Sequence, residues 1–372
     1  MNKMKAWQGS YGVSKYDGIV SPAYFVFDIK HDLNKDFFNR AIRSMKYVDW
    51  FGRASDGIRV GQWDLSLDRM KDIPFLIPPR AEQDQIVRFL DWKVSEINRL
   101  IGLKRKQLKL LQECRSSAIS DLTFGRYITG PKKTIEDLFG IEIPADWNVY
   151  QNKRIFKERV EHSDTGTERL LSVSRHYGVK PQDQLGEEEQ FATIKPALSL
   201  VGYKKVMKND LAMNIMRAQN GSYGISEYDG IVSPAYCVYQ PTHDFDVMYV
   251  HYLFKTPEMV STFSVNSYGI VEHRRRLYAD RFLRMVTPLP PIEVQHKIVI
   301  QIEEIEKRCT EEVKVLEHQI TLLQELKTRL ISDVVTGKMD VRGIEIPEYD
   351  YVADEAPAEE TEDQEENDDQ EE

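Results

Sequence analysis

Three groups of polar side chains stand out by type and spacing. Arg274-Arg275-Arg276 follows Asn266-Ser267-Tyr268-Gly269, and three consecutive arginines cannot all face a core. Arg217-Ala218-Gln219-Asn220-Gly221-Ser222-Tyr223-Gly224 sets a guanidinium and two amides beside glycines that allow a tight loop. Ser174-Arg175-His176-Tyr177, with Lys180, is a polar break between strand-like runs. Cations neutralise phosphates, arginine pairs bidentately with a guanine edge, and glutamine or asparagine pairs with adenine. Such side chains permit non-covalent reading of duplex DNA, with Arg217, Gln219, Asn220, Ser222, Tyr223, Arg274, Arg275, Arg276, Arg175, His176 and Lys180 as candidate contacts. Each group has a plainer reading beside this one. The arginine run also reads as a solvated basic turn, Asn220-Gly221 as a routine turn signal, and residues 175–180 as a strand end with exposed charges.

Motifs for covalent chemistry are missing. The sequence has no Asn-Pro-Pro-aromatic motif of an amino-methyltransferase, no Walker A loop and no His-Glu-x-x-His, and its eight histidines are scattered. Cys114, Cys237 and Cys309 share no metal-ligand spacing and suit a reducing compartment. No run approaches the roughly 18 apolar residues of a membrane span, and the first residues lack a signal-peptide core. The sequence thus predicts a cytoplasmic protein in which neither zinc nor disulfides are implied, and it favours a binding function over an enzymatic one.

The elements that position these groups are set by an internal repeat. Gly9 through Tyr24 recurs as Gly221 through Tyr236, changing only Val13 to Ile225 and Lys15 to Glu227. The same offset of 212 residues carries Pro78-Pro79 onto Pro290-Pro291, Gln83 onto Gln295, and Ile119-Ser120-Asp121 onto Ile331-Ser332-Asp333. Residues 1–126 are a copy of 213–338 without net insertion. The arginine run falls on Gln62, Trp63 and Asp64 of the first copy, and Arg217-Ala218-Gln219-Asn220 falls on Lys5-Ala6-Trp7-Gln8. Side chains that differ in donors within a shared frame suit two domains reading different bases.

Each copy opens with β-branched and aromatic runs, such as Ile19-Val20 and Ile231-Val232, broken by Gly and Pro. Each then enters a long helix after Pro-Pro. Residues 81–123 contain no Pro and only Gly102, and residues 292–336 contain neither. In the second helix Ile298, Ile302, Ile305, Cys309, Val313, Leu316, Ile320, Leu323, Leu330 and Val334 form a 3–4 stripe with a gap at Lys327. The first repeats it through Ile86, Leu90, Ile97, Ile101, Leu108, Leu111, Ala118 and Leu122, interrupted by Lys93, Lys104 and Arg115. A helix of about 40 residues is about 60 Å long, and two such helices in one chain would most simply bury their stripes against each other. The net charge of −10 is concentrated in residues 348–372, which hold fourteen acids and no lysine or arginine. The folded part is mildly basic, and the acidic tail has nothing to bury and should be disordered.

The layout resembles the specificity subunit of type I restriction-modification systems. The resemblance rests on Leu170-Leu171-Ser172-Val173-Ser174 with Tyr177-Gly178-Val179, on Gly230-Ile231-Val232-Ser233-Pro234-Ala235-Tyr236, and on Pro290-Pro291 with Gln295 leading into a helix that ends Leu330-Ile331-Ser332-Asp333-Val334-Val335-Thr336-Gly337-Lys338. It implies an α+β fold: target-recognition domains of mixed β-sheet with short helices, joined by two long helices that pair antiparallel as a coiled coil. It implies half of a first recognition domain at 1–80, a spacer helix at 81–125, a linker at 126–146, a complete recognition domain at 147–291, a second spacer helix at 292–337 and an acidic disordered tail at 338–372. The implied function is sequence-specific recognition of a bipartite site on double-stranded DNA, directing adenine methylation and restriction. The implied partners are two methyltransferase subunits and, through them, restriction subunits, which would hold S-adenosylmethionine, ATP and magnesium.

One departure is plain. Met1 falls on Met213, so the first recognition domain lacks the counterpart of residues 147–212. This predicts a truncated or frameshifted gene, a misplaced start, or a half-subunit that completes itself by pairing. It also predicts exposed apolar surface around Ile19, Val20 and Phe25, and with it self-association. A coiled-coil interaction scaffold, or a non-functional fragment, is the alternative; a scaffold explains the helices but not the paired variable loops.

Overall fold

The computed structural model describes residues 1–354 apart from 15, 30, 58–62, 176, 187–198 and 270–274. The chain divides into two compact units. The first holds Met1–Lys109 and the described residues from Val313 onward, and the second holds Leu110–Glu312.

In the second unit, Tyr223–Ile225, Leu211–Asn214, Tyr236–Pro241 and Phe156–Glu158 lie side by side in a four-stranded antiparallel sheet. Two-stranded pairs surround it: Lys204–Val206 with Gly230–Val232, Leu171–Ser174 with Gly178–Pro181, and Asn148–Gln151 with Val286–Leu289. Short helices at Val247–Phe254, Pro257–Asn266 and Ala279–Arg284 pack aromatic rings onto the sheet. Phe254, Phe263, Phe282 and Tyr239 are all buried, with the Tyr239 and Phe282 rings 4.4 Å apart. Such aromatic packing supplies most of the transfer free energy of a small core.

The first unit repeats this frame in register. The bridge between Asn2 and Tyr24 matches the pairing of Asn214 with Tyr236, and Asp56 opposite Asp64 matches Tyr268 opposite Arg276. Helices at Lys35–Ile42, Met45–Arg53 and Leu67–Lys71 stand where the second unit has its three. Even the capping is copied. Asn34 accepts from the N–H groups of Asp36 and Phe37, as Asp246 does from Met248 and Tyr249.

The repeated glutamine explains itself in this frame. Gln295 is buried; its Nε2 donates to Pro290 O (2.7 Å) and its Oε1 accepts from Asp246 N (2.9 Å). Gln83 does the same between Pro78 O and Asn34 N, each at 2.8 Å. One side chain thus ties the start of each long helix to the cap of a short one.

The long helices are Arg80–Thr123 and Ile292–Val335, 44 residues each, and they run antiparallel. In the first unit Ile86 and Leu90 share a core with Leu330, Ile331 and Val334. In the second, Ile119 and Leu122 share one with Ile298 and Ile302. Two of the interruptions, Arg115 and Lys327, are met by partners in the fold. Arg115 forks onto Glu306 (2.7 and 2.5 Å), and Lys327 donates to Asn98 Oδ1 (3.3 Å) and Asp354 (2.8 Å). A cation is tolerated in such a seam when its charge and donors are met.

Residues 126–146, expected as a linker, are built into the core instead. Lys132–Ile135 pairs with Ile141–Pro144 as a hairpin, and Ile135, Leu138 and Ile143 are buried with Trp147. The second Ile-x-Ile-Pro segment is used similarly: Val341 is buried, and Ile344 and Ile346 pack beside it on the first unit's core. The chain then continues along the first long helix, where Val352 N donates to Ser95 Oγ (3.1 Å) and Asn98 Nδ2 donates to Val352 O (3.0 Å). Residues 355–372 of the acidic tail lie outside the described residues. Among the described residues, no helix is long and apolar enough to cross a membrane.

Candidate nucleic-acid interface

The Arg217 loop is a single 3-10 turn, Ala218–Asn220, closed by Gly221 at φ +85°, a left-handed conformation that a side chain would strain. Ala218 is fully buried and anchors the turn, while Arg217 and Asn220 are exposed and Gln219 is half-buried. Ser222 and Tyr223, also expected as contacts, belong to the frame. Tyr223 is 1% exposed, its hydroxyl donates to Phe254 O (2.6 Å), and its ring stands edge-on to Phe263 at 4.8 Å. Ser222 is buried, and its backbone is paired with Asn214 and Arg217. An aromatic in a glycine-rich loop reads as a surface residue, but here it is the plug beneath the loop.

Backbone bonds join this loop to the other two groups. Leu277 N donates to Ile215 O (2.9 Å), which sets Arg275 and Arg276 beside the strand that feeds the Arg217 turn. Arg276 and Tyr268 exchange backbone bonds at 3.0 and 3.1 Å. On the opposite flank, Lys255 Nζ donates to Gly221 O (2.6 Å) and lies 3.5 Å from Arg175 O, at the turn of the Leu171–Pro181 hairpin. Arg175 and Arg276 are exposed, and Arg275 and Lys180 are half-buried. Arg274 and His176 lie outside the described residues.

The first unit shows what this arrangement brings together. At the positions of Gln219 and Arg275 it carries Trp7 and Trp63, whose ring centroids are 5.1 Å apart. The equivalent main-chain bond, from Leu65 N to Lys3 O (2.9 Å), holds them there. Two loops distant in sequence therefore present neighbouring indoles in the first unit, and the same main-chain bond ties the segments that carry Gln219 and Arg275 in the second.

Sequence reasoning missed several residues at this edge. Lys255 caps a helix, where a lysine ordinarily reads as solvated; instead burial pushes its pKa down to about 8. His251 in the same helix is pushed down to about 4, by burial first and the Lys255 charge second, and stays neutral at physiological pH. Tyr268 is exposed, with the Tyr278 ring 5.1 Å away and the Arg281 guanidinium 5.4 Å from its centroid. Arginine and tyrosine planes arranged this way can accept a base or brace a phosphate contact. The only signal in sequence was the recurrence of Tyr and Arg between 268 and 284.

No family model matches the chain. The type I restriction enzyme EcoBI specificity subunit of Escherichia coli is 25% identical over 335 residues, covering 82% of this chain and 66% of that protein. The chain thus spans just under two thirds of that relative's length. A chain solved in work on the complex assembly and conformational transition of the type I R-M system superposes with a TM-score of 0.56 at 13% identity, over 82% of this chain and 72% of that one. The HsdS subunit from Thermoanaerobacter tengcongensis is 14% identical with a TM-score of 0.45, over 82% and 71% of the two chains. In sequence the chain is similar to a specificity subunit of a type I restriction-modification system, and its fold is shared with a chain of such a system.

Proposed function

We propose that the chain is a non-catalytic DNA-recognition subunit of a type I restriction-modification complex, which places adenine methylation and restriction at a bipartite DNA site. The observation that carries this reading is the exchange of side chains on a repeated frame. The segments that carry Gln219 and Arg275 are tied by the same main-chain bond as those of the adjacent Trp7 and Trp63, and the side chains differ while the supporting turns do not. A structural loop has no need of such a difference, whereas two half-site readers require it. The exposed leucines at 100, 103, 322 and 326, outside the helix seam, suit docking of partner subunits. Two methyltransferase subunits would bind there and bring restriction subunits with them. S-adenosylmethionine, ATP and magnesium would be held by those partners.

The test is the affinity of the reconstituted methyltransferase complex for cognate and scrambled duplexes at two salt concentrations. Arg217→Ala, Gln219→Ala, Arg275→Ala and Arg276→Ala are compared with wild type. A base-reading side chain should cost about 1–3 kcal/mol on the cognate duplex and relax preference at one position. A phosphate contact should weaken all duplexes alike and reduce the salt slope by about 1. Unchanged affinity for all four variants would remove this edge from the interface.

A further inference from the structure

We propose that Tyr268, braced by Tyr278 and Arg281, is a stacking site for an unpaired nucleobase of the bound DNA, the base left without a partner when the adenine opposite it is turned out for methylation. The inference rests on the DNA reading proposed above. Tyr268 is 49% exposed and Tyr278 37%. Their rings stand 5.1 Å apart at an interplanar angle of 41°, and the Arg281 guanidinium lies 5.4 Å from the Tyr268 centroid. The exchanged backbone bonds pin Tyr268 opposite Arg276, whose side chain is exposed. Leu277, the next residue, is bonded to Ile215, so the ring borders the edge that carries the Arg217 turn.

The frame does not need these rings. At the positions of Tyr268, Tyr278 and Arg281 the first unit carries Asp56, Ser66 and Arg69, and there Asp56 and Arg69 form an ion pair. The same fold closes over a carboxylate, so the rings of the second unit serve a ligand. An exposed ring among cations fits a nucleic acid, because every base has a π-face and every nucleotide a phosphate. In a paired duplex those faces are buried in the stack and only base edges are open. The face of Tyr268 can therefore be met only by a base outside the stack. Methylation of adenine supplies one, since methyltransferases turn the target base out of the duplex and leave the opposite base unpaired. With centroids 5.1 Å apart the two rings leave no room for a base between them. The base therefore stacks on Tyr268, the more exposed ring, while Arg276 and Arg281 neutralise flanking phosphates.

The experiment is a double-mutant cycle between ring and base. The reconstituted methyltransferase complex is titrated with the cognate duplex and with duplexes in which each adenine in turn is replaced by an abasic residue. Further duplexes lack the base opposite that adenine, alone or together with it. For one adenine, wild type and Tyr268→Phe should bind the duplex lacking the adenine at least about fivefold tighter than Tyr268→Ala and Tyr268→Asp do. The difference should vanish when the opposite base is missing too. Tyr268→Asp copies what the first unit carries at this position, and the bonds to Arg276 are main-chain, so the variants should unfold as wild type does. The inference is overturned if the ring matters at no adenine, or equally with and without the opposite base. It is overturned also if the ring matters only on the duplex that keeps the adenine and lacks its partner, for the ligand is then the adenine itself. A wild-type complex that does not distinguish cognate from scrambled duplex would remove the DNA reading and this inference with it. Cognate preference without coupling would remove this inference alone.

Discussion

Lys255 shows how one side chain can decide the geometry of two loops. Its ammonium spans Gly221 O and the neighbourhood of Arg175 O and stands 4.8 Å from the centroid of the Tyr223 ring. Burial lowers its pKa from near 10.5 to about 8. Between those values the unfolded chain binds more protons than the folded one, so this group's contribution to stability rises with pH through that window. Thermal unfolding of wild type and Lys255→Met from pH 7.5 to 10 should show the wild type gaining on the variant as pH increases; parallel curves would mean the amine is solvated. The candidate contacts that stand at this edge were legible as residue types, since arginines and amides beside glycines carry their chemistry openly. Their adjacency was not, because residues 219 and 275 meet only through a bond between Leu277 and Ile215 that no local pattern encodes. Tyr223 and Lys255 were illegible for a related reason. A tyrosine in a glycine loop and a lysine at a helix end look solvated until the helices packed against them are known.

At the scale of elements, the long helices were readable because a 3–4 stripe sustained over ten positions arises from little besides a helix buried along one face. Their interruptions were not. Arg115 and Lys327 break the stripe in sequence yet find Glu306 and Asp354 in the fold. The hairpin at 132–144 escaped notice because Lys132-Lys133-Thr134 and the turn at Gly140 look polar, and its buried residues at 135, 138 and 143 follow no single period. The seam makes a quantitative prediction. Ile302 is fully buried and Ile300, two residues away, is 58% exposed. Ile302→Asp should cost several kcal/mol in denaturant unfolding, the penalty of an unpaired buried carboxylate or of its forced protonation, whereas Ile300→Asp should change stability by less than about 0.5 kcal/mol. Equal effects from the two would show that the helices do not pair through this face.

Considered whole, the molecule is one frame used twice, closed differently each time. The second unit is joined by strands at 156–158, 171–174, 178–181 and 204–206, whereas the first holds the C-terminal segment that places Val341 in its core and Val352 against Ser95. Deleting residues 338–372 should therefore loosen the first unit selectively. Fully burying one aliphatic side chain contributes about 1.5–3 kcal/mol, so amides at 86–101 should exchange at least tenfold faster while those at 236–254 hold. Uniform loosening of both units would contradict this division. The repeat and the helices made the architecture legible from the sequence. The closing segments did not show themselves, because a strand or strap held by another element's edge carries little signal of its own.

Gly18 carries a consequence for inheritance. Sequence drift is fastest where a residue touches nothing, and Gly18, Ile19 and Val20 stand in the open. Yet they are identical to three residues locked in place in the other unit, while nearby positions such as Trp7 and Gln219 have diverged. The stretch exposed in the first unit is therefore built from the same residues that, in the second, lie against Lys204–Val206 as Gly230, Ile231 and Val232.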